Sequence, residues 1–333
     1  MRTVTITGAN GFTGSHILEN IGDLSKNEYN VIACCRTKSK LPDFYNGNTL
    51  IGDLLDEDYI SRVAKKSDII CHTASWAEMN GSLENSIKYF LNPTINLIDS
   101  ALKNGVKRFV FLSAITSNPV ARERLHTNRK LKDIWAHYDS ILKIEQYLEQ
   151  IQDKGMEIIV LRVGYFTGKK YSLGLLPILL PRLKTHLVPW IEKGKTTFPL
   201  IDGNDVGLAF RLSITSKLEE NFNIIDIVGK EIPTVREVFN YLNAKYNYPL
   251  PHFSVSYKFA YGFARFMRFI HKFLPSDPLI VPAIVLLLEE TNATNDKAER
   301  ILNYRPNIHW KKSIDIQIAE MEIRQAANMK MNK

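Results

Sequence analysis

Gly8, Gly11 and Gly14 stand at G-x-x-G-x-x-G spacing in Thr3-Val4-Thr5-Ile6-Thr7-Gly8-Ala9-Asn10-Gly11-Phe12-Thr13-Gly14-Ser15-His16. An apolar strand, a tight turn and a helix start would gather free backbone N–H groups and the positive end of a helix dipole at one point. The chemistry that serves is the holding of a pyrophosphate. Gly8 and Gly11 lack the Cβ that would keep a ligand off the backbone, and Gly14 lets the helix lie close to the strand. Asn10 and Phe12 belong to the same turn. Further residues extend the site toward a nucleoside. Arg36 closes a second apolar run, with Lys38 nearby. A cation there accommodates a 2′-phosphate, where an acid would bond a 2′-hydroxyl. Asp53, in Gly52-Asp53-Leu54, is placed to accept a hydrogen bond from an adenine amino group. Thr73 and Ala74 are small enough to let a ribose and its phosphates pass. These residues predict a nicotinamide dinucleotide site that favours NADP(H), with NAD(H) as the alternative.

Such a turn works only if strands carry it. Apolar runs recur at 30–36, 49–52, 69–72, 108–113 and 157–162, mostly without polar alternation, as strands buried on both faces require. Helical periodicity separates them, at Asn85–Asn104 through Ile87, Phe90, Leu91, Ile95, Ile98 and Leu102, and at His137–Leu148 through Ile141, Ile144 and Leu148. Pro93 should kink the first of these or start a new segment. Alternating strands and helices predict an α/β fold with a doubly wound parallel Rossmann sheet. Asp56 is the expected cap of the helix holding Tyr59, Ile60 and Val63. His72, at a strand end, is expected to be a satisfied structural histidine.

After Gly168 the rhythm weakens. The division expected is a dinucleotide-binding core at 1–168 and a smaller, mostly helical substrate lobe at 169–333, with core segments returning near 198–230. Phe198–Gly207 suggests a loop entering a helix capped by Asn204 or Asp205. Asn223–Val228 suggests another parallel strand. Thr234–Tyr246 predicts a helix with Thr234 and Glu237 as a capping box. Leu173–Trp190 is apolar and proline-bearing, which suits a small hydrophobic substrate. At 258–274, Phe259, Phe263, Phe266, Ile270 and Phe273 repeat at +4, +3, +4, +3, with Arg265, Arg268 and Lys272 elsewhere on the helix. That pattern fits either a helix covering a greasy pocket or a peripheral membrane contact.

The 333 residues are 45% hydrophobic, ample for a full core. Cys34, Cys35 and Cys71 lack metal spacing and predict buried, reduced thiols of a cytoplasmic protein. No signal peptide is expected, because Arg2 runs directly into a strand pattern. The net charge of +8 includes a basic run at 121–132, which lacks the interleaved aromatics that nucleic acid would need, so none is expected as a partner. The apolar stretch Pro278–Leu288 is too short to span a bilayer. The lysine-rich end, Lys330–Lys333, should fray.

With these residues in hand, the chain resembles the extended short-chain dehydrogenase/reductase superfamily, and by pattern its 3β-hydroxysteroid dehydrogenase, dihydroflavonol reductase and epimerase/dehydratase group. The markers are Thr7–Gly14, Gly52-Asp53-Leu54, His72-Thr73-Ala74, Gly105–Val110, Leu161-Arg162, Asp205-Val206, Lys297-Ala298 and Asn303-Tyr304-Arg305-Pro306, over roughly residues 2–320. The resemblance implies catalysis by a Ser or Thr, a Tyr, and a Lys one helical turn after the Tyr. This chain departs from that. In one register His137 takes the Tyr position and Ile141 the Lys position. In the other Tyr138 is the Tyr and Leu142 stands where Lys belongs. Lys143, five residues after Tyr138, points about 140° away from it. The Ser position is Ala114, between Ser113 and Thr116. The candidates implied are His137 or Tyr138 as acid/base, and Thr116 or Ser113 to steady a substrate oxygen, Ser113 also facing the cofactor. The alternative is a catalytically degenerate NAD(P)-binding sensor or regulatory protein. Relatives imply a homodimer through the helices at Asn85–Asn104 and His137–Asp153.

Overall fold

The computed structural model describes residues 1–22, 24, 28–118, 134–170, 175–271, 273 and 280–331. The basic run at 121–132 lies outside them, as do Lys272, Pro278, Asn332 and Lys333. In chain order the elements of the first half are β1 (Arg2–Thr7), α1 (Phe12–Ile21), β2 (Tyr29–Cys35), β3 (Asn48–Ile51), α2 (Glu57–Lys65), β4 (Ile69–His72), α3 (Leu83–Ser86), α4 (Asn92–Lys103), β5 (Arg108–Ala114), α5 (Ala136–Gln150) and β6 (Glu157–Val163). There follow β7 (Tyr165–Thr167), α6 (Leu175–Leu183), β8 (Trp190–Ile191), β9 (Leu200–Asp202), α7 (Gly203–Thr215), β10 (Phe222–Ile227), α8 (Val235–Tyr246), β11 (Ser254–Val255), α9 (Tyr257–His271), α10 (Pro282–Leu286), α11 (Asp296–Leu302) and α12 (Trp310–Met331).

Seven parallel strands form the central sheet in the order β3-β2-β1-β4-β5-β6-β10. The continuous apolar runs are explained by helices on both faces. Along β6, Ile159, Leu161 and Val163 join the core under α1 and α7, whereas Ile158 and Val160 join the core under α2, α4 and α5. Each such side chain, fully withdrawn from water, contributes about 1.5–3 kcal/mol. The strand order reverses between β1 and β4, and the crevice outside their carboxyl ends is where an open α/β sheet takes its ligands. The later chain forms a largely helical lobe with its own core of α6, α8 and α12. β10 returns to the main sheet.

Local chemistry sets most boundaries. The side chain of Asp56 caps α2, and Thr234 and Glu237 form a reciprocal capping box on α8. Pro93 starts α4, and the turn before it, Ile87–Leu91, is π-helical. The proline ring removes the N–H that would have bonded the carbonyl of Tyr89, and the helix accommodates this with a wider turn. One expected cap is corrected. Asp202, not Asn204 or Asp205, caps α7 by accepting the Asn204 N–H at 2.8 Å. Asp205 is buried within the helix and accepts the N–H groups of Asn307 and Ile308 at 2.9 and 3.0 Å. Burial pushes its carboxyl up to about 6.

Candidate functional site

β1 and β4 pair with Thr7 opposite His72, so the loops that leave them start at one level. Gly8 has φ +70°, and a Cβ there would lie 2.7 Å from the Ala74 nitrogen. The Gly11 N–H donates to the Gly8 carbonyl at 2.8 Å and closes the turn. Gly11 is also the N-cap of α1 and brings no side chain to it. The first N–H groups of that helix therefore have no partner within it and front the crevice. A backbone cradle that a Cβ would fill, at a helix start with no capping side chain, fits a dinucleotide pyrophosphate. Asn10, Phe12, Thr73 and Ala74 line the same cavity. Thr73 is steadied by donating from Oγ1 to the Thr7 carbonyl at 2.8 Å, and Phe12 lies against Phe166 with ring centroids 4.7 Å apart.

At the far end of the crevice Arg36, Asp53 and Leu54 line the wall. The Arg36 side chain is 79% exposed and comes within 3.9 Å of Asp53. Asp53 Oδ1 already accepts the Leu55 N–H at 3.0 Å, which shapes the turn after β3. Lys38 does not join them. It starts a one-turn 3-10 segment, is exposed, and is absent from the cavity wall. The cationic contribution there is that of Arg36.

At the other end α5 presents His137 and Ile141 to the cavity. The structure thus selects the register in which His137 holds the Tyr position and Ile141 the Lys position. Tyr138 is corrected: it is buried in the core formed with Trp135, Leu142, Tyr257 and Tyr261 and is not a wall residue. One residue along a helix is about 100° of rotation, enough to exchange cavity for core. Ser113 is likewise corrected as an oxygen-steadying donor. Its hydroxyl is committed to Glu145 Oε1 at 2.5 Å. Glu145 also accepts from Ser117 at 2.7 Å and from Arg162 at 2.8 Å, and the whole group is largely buried. Arg162 was visible as part of Leu161-Arg162, but its partner, 17 residues earlier, was not.

Three residues that line the cavity each carry a buried polar atom without a hydrogen-bond partner among the described residues: Thr116 Oγ1, His137 Nδ1 and the Tyr165 hydroxyl. Burial pushes His137 down to about 4, partly offset by a hydrogen bond to the Trp76 backbone. Its imidazole is therefore neutral near pH 7. Burial raises the Tyr165 phenol well above its ordinary range, and it stays protonated. Tyr165 was missed in the sequence, where the only signal was its place just after an apolar strand. His72 is satisfied, as its position suggested, with Thr7 Oγ1 at 2.7 Å from Nδ1 and Thr94 Oγ1 at 3.0 Å from Nε2. No cluster able to hold a metal ion occurs among the described residues.

The cavity is continuous from the glycine turn into the lobe and measures about 1490 Å³. Its lobe end is walled by apolar side chains, including Leu179, Val188, Phe239, Phe259, Phe263 and Leu287. Pockets for one drug-sized ligand span about 300–1000 Å³, so this one has room for a dinucleotide and a second molecule.

The chain matches, over residues 8–175, the model of a family described as NAD(P)H-binding. A decarboxylating sterol-4-alpha-carboxylate 3-dehydrogenase of Dictyostelium discoideum is 25% identical to it over 256 residues, covering 72% of this chain and 75% of that protein. Among solved structures, gox2253 superposes with a TM-score of 0.75 at 18% identity, covering 97% of this chain and 99% of the other. UDP-glucose 4-epimerase of Thermus thermophilus, solved in complex with NAD, superposes with a TM-score of 0.67 at 19% identity, covering 96% and 99%. The two structures speak for the fold.

Proposed function

Because the chain belongs to this NAD(P)H-binding family, within the extended short-chain dehydrogenase/reductase and epimerase/dehydratase superfamily, we propose that it is an NADP(H)-dependent oxidoreductase acting on a hydrophobic carbonyl or alcohol. The observation that carries this reading is the single cavity joining the glycine turn to an apolar chamber past His137 and Thr116. A relative named for a sterol carboxylate agrees with a large apolar substrate. Gly8, Gly11 and the first turn of α1 would hold the pyrophosphate, and Arg36 the 2′-phosphate. When bound, a nicotinamide supplies or accepts a hydride. The protein's part is to hold the substrate oxygen and manage its proton. Thr116 and Tyr165 line the cavity beside its apolar wall and each carries a buried hydroxyl without a partner among the described residues, the kind of donor whose hydrogen bond to developing negative charge is strengthened away from water. His137 lines the same cavity as a neutral imidazole, suited to hydrogen-bonding rather than to carrying charge.

Two results test this. Arg36→Ala should raise the NADPH Kd about 10- to 100-fold, since hydrogen bonds to a charged group are worth about 1.5–3 kcal/mol. NADH should shift by no more than about threefold, and the NADPH preference should shrink with added salt because Arg36 is exposed. Equal losses for both nucleotides in a calorimetric titration would refute the NADP(H) assignment. Secondly, purified protein should oxidise NADPH with some member of a panel of large apolar ketones, aldehydes and quinones. His137→Ala should then lower kcat about 100-fold, as loss of one preorganised hydrogen bond at a reacting oxygen does, with nucleotide affinity kept. A ring pushed to about 4 gives no inflection in kcat between pH 5.5 and 8. A bend near 6.5 that vanished in the variant would contradict the neutral ring.

Ile141 at the Lys position favours a second reading, a nucleotide-binding sensor without hydride transfer. Tight NADPH binding with no turnover across the panel would support it.

A further inference from the structure

The amphipathic helix α9 turns two faces to different surroundings. Tyr257, Ala260, Tyr261 and Ala264 are buried and seat it on α10 and the start of α5. The phenylalanine row lies on the other side. Phe259, Phe263, Phe266 and Phe269 fall within an arc of about 120° at 100° per residue, and they are 40–62% exposed. An ordered row of large apolar side chains in water marks a contact surface.

Three observations choose what covers it. The first is charge. Segments 182–191 and 250–271 together hold Arg182, Lys184, Lys258, Arg265 and Arg268 and no aspartate or glutamate; the neighbouring acid, Glu192, commits its carboxylate to the Tyr257 N–H at 2.8 Å, at the start of α9. Lys258 and Arg265 are exposed and sit at one edge of the phenylalanine arc. The second is continuity with the cavity. Phe259 and Phe263 line it, as do Leu187 and Phe253, and all four are exposed, so the apolar face rims an opening. The third is size. No helix among the described residues is long and apolar enough to cross a membrane, and a 15-residue helix with one greasy face and basic flanks is built to lie in the plane of an interface.

We propose that α9 docks this protein on an anionic phospholipid bilayer, with the cavity mouth facing the acyl region. Basic side chains meet the headgroups and the phenylalanines enter the boundary below them. An apolar substrate could then reach His137 and Thr116 without crossing water. That route rests on the hydrophobic-substrate reading above; the docking does not.

The test uses the full chain and vesicles of phosphatidylcholine, alone or mixed with phosphatidylglycerol. Co-sedimentation is expected with the mixed vesicles, to weaken with salt, and to be slight with phosphatidylcholine alone. Phe266→Ser/Phe269→Ser, at two positions that do not line the cavity, should cut partitioning at least about tenfold while the thermal shift with NADPH is unchanged. Lys258→Gln/Arg265→Gln should remove most of the preference for anionic lipid. Absence of binding to the mixed vesicles, or binding unchanged in Phe266→Ser/Phe269→Ser, overturns the proposal. So does light scattering that finds a dimer dissociated by the same variant, because a second copy would then cover the face. Failure on the carbonyl panel with vesicle binding intact would count against the substrate reading alone.

Discussion

Gly14→Ala is expected to weaken NADPH binding about 100-fold and to lower Tm by about 1.5–4 °C. A Cβ at this position would lie 2.3 Å from the Gly8 oxygen, 2.6 Å from Ala9 Cα and 2.8 Å from the Gly8 carbonyl carbon. All three are backbone atoms, so no side chain can rotate away. Relief requires the start of α1 to move from the turn by roughly 1 Å. Overpacking of this kind costs about 1–3 kcal/mol, which in a chain of this size is a few degrees of Tm. The effect on binding is larger, because the N–H groups at the helix start and the backbone of the turn must meet one pyrophosphate together. A displacement of about 1 Å in such a cradle loses on the order of 100-fold. Gly262→Ala is the control. Nothing lies within 4 Å of a Cβ there, and alanine is favoured over glycine in a helix by about 0.5–1 kcal/mol. Its Tm should hold or rise, with NADPH affinity unchanged. If Gly14→Ala binds NADPH like the parent, the glycine turn is not the phosphate cradle.

That turn was legible because its chemistry is local. Glycine spacing, a preceding apolar strand and a following helix occupy sixteen consecutive residues, and no distant partner is needed to interpret them. The capping box at Thr234 and Glu237, the cap at Asp56 and the break before Pro93 are legible for the same reason. The sheet followed from runs of apolar residues too short for helices and too uniform for one-sided strands. Where side chains point is a different matter. His137 and Tyr138 are neighbours, both aromatic, and only the packing of Tyr138 against Trp135, Leu142 and Tyr261 decides which of them meets the cavity. The helix at 257–271 is instructive in the opposite sense. Its strongest apolar repeat is exposed, and the packed face is made by two alanines and two tyrosines, a weaker pattern that the phenylalanines overshadow. Hydrophobic periodicity identifies a face that avoids water. It does not say whether protein or some other phase covers that face.

Glu145→Ala is expected to destabilise the fold by about 3–5 kcal/mol, the second large effect. Glu145 Oε1 accepts from Ser113 at 2.5 Å, Ser117 at 2.7 Å and Arg162 Nε at 3.2 Å, and Oε2 accepts from Arg162 Nη2 at 2.8 Å. Truncation leaves a guanidinium with a side chain only 12% exposed, and two buried hydroxyls, without this acceptor. The damage comes from groups left unpaired rather than from one lost bond. Arg162→Met/Glu145→Met removes both charges and should cost less than the sum of the two single changes, so a double-mutant cycle in urea should return a coupling of about 1–3 kcal/mol. The network also reaches the site. Ser113 ends β5, Ser117 lies in the turn that holds Thr116, and one carboxylate pins both to α5, the helix of His137. Glu145→Gln keeps an acceptor but loses the charge, so its loss of stability should fall between the parent and alanine. Its kcat should drop more than its NADPH affinity, because the pinned residues stand at the substrate end and the glycine turn does not touch them. A Glu145→Ala protein within about 1 kcal/mol of the parent would mean that Arg162 finds full compensation elsewhere, with Asp226 the other carboxylate whose charge acts on it.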